Sequence, residues 1–166
     1  NFDEYENNTD INSLISSLTD HITGINNSRS QLKFEGFLEK AREAYTSYIA
    51  ESENNDKNKF PTPSIRSFYQ LIRFIPEFPE RHLDVYLDSD TGFFGVMIET
   101  ERRGNPLLNL LMQDNMEVIF SYIKRKNKII KISGRAYFND DLNDSDEITK
   151  LLRMISEWLG LMMLME

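Results

Sequence analysis

Residues 83–100 read LDVYLDSDTGFFGVMIET. Leu83, Val85 and Leu87 alternate with His82, Asp84 and Tyr86, the period of two that puts one side of a strand in a core and the other toward solvent. Asp88, Ser89, Asp90, Thr91 and Gly92 are residues that favour tight turns through side-chain to backbone bonds and access to positive φ. Phe93 to Thr100 then returns as a second strand, so the stretch predicts a β-hairpin.

The same pattern continues downstream. Leu107 to Gln113 reads as a third strand, although Asn105-Pro106 would equally cap a short helix. Asp114-Asn115 turns into a strand over Met116 to Lys124, and Lys126-Asn127 makes the next tight turn. In the last strand Ile130, Ile132, Gly134, Ala136 and Phe138 alternate with Ile129, Lys131, Ser133, Arg135 and Tyr137, one face apolar and the other charged. After the acidic loop Asn139 to Asn143, Asp144 or Ser145 can cap a C-terminal helix with Asp146 and Glu147 in its first turn, where the helix dipole favours negative charge.

Upstream, Thr62 with Pro63 at the first helical position predicts a helix whose buried face is Ile65, Phe68, Tyr69, Leu71, Ile72 and Ile75, stopped by Pro76 and Pro79. Before it, Glu51 to Lys59 (ESENNDKNK) has no apolar residue and reads as an exposed linker. Earlier still, Thr9 or Asp10 caps an amphipathic helix carrying Ile11, Leu14, Ile15, Leu18, Ile22 and Ile25, ended by Gly24 with Asn26 and Asn27. Ser28 or Ser30 caps a second helix, with Leu32, Phe34, Phe37, Leu38, Ala41, Tyr45, Tyr48 and Ile49 facing inward up to about Ala50. The expected class is α+β: an antiparallel meander of 4–5 strands flanked by helices. Residues 1–55 form an N-terminal helical hairpin region and residues 61–166 an α+β domain.

A chain of 166 residues is long enough for a real core. Cysteine is absent, which removes disulfides, zinc–thiolate sites and thiol nucleophiles and suits a reducing compartment. The longest apolar stretch, Leu161 to Met165, is far below the roughly 20 residues of a membrane span. A cytoplasmic protein with no membrane association is expected. The net charge of -8 is unevenly spread: residues 101–139 carry 8 basic and 3 acidic side chains, whereas every other segment is acidic. Such a local excess can meet phosphate or an acidic protein surface.

Catalytic signatures are hard to find. Neither His21 nor His82 has a nucleophile or metal-ligand partner at diagnostic spacing, and a packed or solvated role explains both. Asp88-x-Asp90-x-Gly92 resembles the start of a calcium loop, but the remaining ligand positions are missing and the hairpin turn accounts for it. No glycine-rich phosphate cradle exists. An enzyme would have to use carboxylates such as Glu99 and Glu117 with a divalent cation. The expectation is a protein with no enzymatic activity, no catalytic residue, no metal and no cofactor.

Two surfaces stand out for binding. Lys124, Arg125, Lys126, Lys128, Lys131 and Arg135 lie on two adjacent strands beside Tyr122 and Tyr137, a combination that pairs phosphates while bases stack. Lysine on an exposed edge also simply blocks edge-to-edge aggregation. The C-terminal helix carries Ile148, Leu151, Leu152, Ile155, Trp158, Leu159 and Met162 on one face. Met154, Leu161, Met163, Leu164 and Met165 wrap round it, so it is either a central core helix or a contact for a second chain in a homodimer.

Residues 64–138, a helix ending in prolines, a strand, an Asp-x-Asp-x-Gly turn and a continuing meander, resemble a family of short uncharacterised bacterial proteins of mobile-element type. The family's usual tryptophan-bearing second strand has Phe93, Phe94 and Met97 here. The resemblance implies a bacterial or phage origin and supplies no catalytic residue. Together these features lead to a protein-binding module, for instance an inhibitor, antitoxin or assembly subunit. A nucleic-acid-binding accessory protein using residues 124–135 is the alternative, and a carboxylate- and metal-dependent enzyme comes third.

Overall fold

The computed structural model describes residues 10–23, 28–73, 83–99, 107–115, 117–125 and 129–137. The meander expected from the sequence has five strands among the described residues: β1 (Leu83–Leu87), β2 (Phe94–Glu99), β3 (Leu107–Met112), β4 (Glu117–Arg125) and β5 (Ile129–Tyr137). They pair antiparallel in the order β1-β2-β3-β4-β5. The segment with a rival helical reading, 107–112, is therefore a strand, its residues alternating between half-buried and buried.

Because side chains alternate along each strand, the register sorts them into two faces. Val85 lies opposite Val96, Val96 opposite Leu110, Leu110 opposite Phe120, and Phe120 opposite Gly134. This inner face holds Phe94, Val96, Leu110, Met112 and Val118, all fully buried. The outer face carries the row Asp84, Met97, Asn109, Ser121 and Ser133.

Three helices are described: α1 (Ile11–Thr23), α2 (Ser28–Asn54) and α3 (Ile65–Arg73). Asp10 caps α1, its Oδ1 accepting from the Asn12 amide at 3.4 Å. α2 runs one turn past the expected stop at Ala50, to Asn54. Glutamate is a good helix former, and Ser52 Oγ accepts from the Phe60 amide at 3.0 Å, turning the chain back only after that turn. α3 starts at Ile65 rather than Pro63, because the cap is Ser64 and not Thr62: Ser64 Oγ accepts from the Ser67 amide at 3.1 Å. The Ser64 amide meanwhile donates to the Gly92 carbonyl at 2.9 Å, which ties the helix start to the β1–β2 turn. Gly92 has φ 75°, and a side chain there would collide with the Thr62 carbonyl.

The helical hairpin packs on the sheet. Ile15 of α1, Phe37, Leu38 and Ala41 of α2, and Phe68 and Leu71 of α3 share one cluster with Leu83, Val96, Leu108 and Leu110. The C-terminal helix expected from residue 144, with Trp158, Met162, Met163 and Met165, lies outside the described residues. So do Lys126 and Lys128 of the last turn.

Candidate functional site

A meander has two edges, and the ladder bonds say which backbone groups point outward at each. The Asp88 amide donates to the Phe93 carbonyl at 2.9 Å. Bonded pairs alternate in an antiparallel ladder, so Asp84 and Tyr86 bond to β2 while Leu83, Val85 and Leu87 turn their N–H and C=O groups away from it. The Lys40 ammonium confirms the parity by donating to the Leu83 carbonyl from α2. At the other end the Gln113 amide donates to the Glu117 carbonyl at 2.8 Å. The same alternation then makes Ile129, Lys131, Ser133 and Arg135 the residues of β5 whose backbone points outward.

Beyond Lys40, α2 stands off from β1 and leaves a groove of about 340 Å³. Its floor is Ala44, Tyr48, Val85 and Leu87, and its rim carries Glu43, Glu51 and Asp84. All three carboxylates are exposed, and Lys40 at the Leu83 end is the one cation in the lining. Tyr48 is fixed by donating to the Pro61 carbonyl at 2.7 Å and by a tilted contact with Phe60, ring centroids 5.1 Å apart. Burial pushes the Tyr48 phenol above its ordinary value and the Asp88 carboxylate adds to that push. Tyr86 is raised too, again first by burial. Its ring lies flat over Gly95, where any Cβ would land inside the ring, and its hydroxyl donates to Asn109 Oδ1.

The β5 edge is different in character. Among the described residues β5 pairs with β4 alone. Ile129 is 74% exposed and Ile132, on the other face, 39%. Lys131, Ser133 and Arg135 are exposed as well. Arg135 donates to Glu117 Oε1 at 3.2 Å; the Arg135 side chain is 63% exposed and that of Glu117 4%.

The residues singled out in the sequence are thus distributed as follows. Tyr122 is buried on the inner face, opposite Ile132, so its ring does not share a surface with Lys131 and Arg135 on the outer face. The register sets Lys124 opposite Ile130, Arg125 opposite Ile129 and Tyr137 opposite Glu117. Glu99 and Glu117 do not meet: Glu99 lies opposite Leu107, which lies opposite Ile123, about 20 Å along β4 from Glu117. Among the described residues no three His, Asp or Glu side chains gather as a metal site, and no helix is long and apolar enough to cross a membrane.

The groove went unseen in the sequence. Lys40, Glu43, Ala44, Ser47, Tyr48 and Glu51 do follow helical spacing, beside the apolar stripe of Phe37, Leu38, Ala41 and Tyr45. That flank was the available signal. No family model, curated protein or solved structure matches the chain.

Proposed function

We propose that the protein is a non-enzymatic protein-binding module of a bacterial or phage system, an inhibitor, antitoxin or assembly subunit, which takes an extended segment of its partner as an added strand. The observation that carries this reading is the groove between α2 and the outward edge of β1. Val85 and Leu87 each present an N–H and a C=O there, at a strand's spacing, with a helix as the opposite wall. Strand addition at a sheet edge uses such main-chain groups for affinity and neighbouring side chains for specificity. The alternative of a nucleic-acid accessory draws less support, since the buried Tyr122 ring stands on the face opposite Lys131 and Arg135.

Photo-crosslinking in the source cell tests the reading. A crosslinker replacing Ser47, in the groove, is expected to give a discrete protein adduct, and one replacing the exposed Ser17 on α1 is not. Equal labelling from both positions, or none from Ser47, would remove the groove as the contact.

A further inference from the structure

The two edges of this one sheet are complementary. β1 faces an acidic groove, and β5 offers an exposed basic strand with exposed isoleucines on both faces. We propose that the strand entering the α2–β1 groove is β5 of a second copy of this chain, so that copies join head to tail into a continuous sheet. The inference rests on the strand-addition reading above and names the owner of the strand.

Backbone parity fits this arrangement. The outward-bonding residues of β1, Leu83, Val85 and Leu87, carry inner-face side chains, and those of β5, Lys131, Ser133 and Arg135, carry outer-face ones. An antiparallel bonded pair places its two side chains on the same side of the sheet. The inner face of one copy therefore runs on into the outer face of the next. α2 then overlies an outer face on which, among the described residues, no helix packs.

Charge fits as well. Pairing Val85 with Ser133 and Leu87 with Lys131 of the second copy brings Lys131 toward Glu51, while Arg135, already bonded to Glu117, falls beyond the Lys40 end. Ser133 falls in the groove, against Ala44 and Ser47. On the other side Ile132 comes to lie opposite Tyr86, whose ring points the other way, over Gly95. Lys40, already bonded to the Leu83 carbonyl, marks where the added strand stops. Such an interface is heterologous, so each copy keeps one edge of each kind and assembly continues until a ring closes.

Sedimentation velocity over a concentration series tests this on the full chain. The wild type is expected to grow in weight-average mass with concentration. Lys131→Glu and Glu51→Lys should each weaken association by more than about tenfold, since each sets like charges together. A mixture of the two variants should associate as the wild type does, because every junction in it again pairs opposite charges. Ser133→Pro, at an outward N–H on an edge, should fold and fail to associate. Wild type that stays monomeric, or variants that associate unchanged, would overturn the inference. In that event the crosslink from Ser47 decides the remainder: a discrete protein adduct keeps strand addition with another owner of the strand, and its absence removes both.

Discussion

Where α3 meets the sheet, Ser67 Oγ accepts from the Phe94 amide at 2.7 Å and donates to the Met112 carbonyl at 2.6 Å. Ser67 and Phe68 are fully buried, and the Phe68 and Phe94 rings touch with centroids 5.1 Å apart. α2 meets the same sheet along β1 through the buried Phe37, Leu38 and Ala41 and the bond from Lys40 to the Leu83 carbonyl, and beyond them a groove follows. The short helix, of 9 residues, is seated in the core by packing and by paired backbone groups, while the long one, of 27, leaves part of its length standing off an unpaired edge. Length therefore does not decide which helix is a structural plug and which is one wall of a binding surface. What decides it is how each meets the backbone of the sheet: α3 through a buried hydroxyl that bridges two strands, α2 through one ammonium at an edge.

That contrast can be broken by measurement. Phe68→Ala should cost the most, about 3–5 kcal/mol of unfolding free energy in urea, the range for removing a large buried aromatic. Ser67→Ala follows at about 2 kcal/mol, because it strands a buried amide and a buried carbonyl together. Lys40→Met should cost about 1 kcal/mol, one hydrogen bond at a partly exposed site, and should leave the groove in place. A Lys40→Met loss as large as that of Phe68→Ala would mean that α2 is seated as firmly as α3.

The smallest effect is a pH dependence in the α1–α2 pair. Tyr45 donates to Asp10 Oδ1 at 2.8 Å, and burial first, then that bond and the Asp10 charge, push its phenol up to about 12. The folded state thus holds this proton more tightly than the unfolded chain, where the value is near 10. Its contribution is complete below pH 10 and declines as pH rises toward 12. Tyr45→Phe should give a shallower alkaline fall in melting temperature than the wild type; an identical slope would show that the phenol does not couple to folding.

Much of this architecture was written in local pattern. Alternation marked the first and last strands, and the turn residues Asp88 to Gly92 marked the hairpin whose Gly92 adopts positive φ. The helix starts were less legible. Thr62-Pro63 is a strong local signal, yet Ser64 wins because its amide also finds the Gly92 carbonyl, a partner 28 residues away. The groove was invisible for the same reason: Lys40 and Leu83 are 43 residues apart, and no periodicity says which edge a helix lies along. Lys131 and Arg135 were legible as one charged face of the last strand. That Tyr122 lies on the other face from Lys131 and Arg135 required the register.

The Ser67 hydroxyl sits where the next rung between β2 and β3 would fall, beyond the pair Gly95 and Leu111. A helix thereby supplies a rung of the sheet. That end of β2 and β3 cannot fray while α3 stays docked, and α3 cannot leave without exposing two bare backbone groups in an apolar core. Helix and strands should therefore open as one cooperative unit, with the Phe94 amide exchanging its hydrogen on the slow timescale of global unfolding.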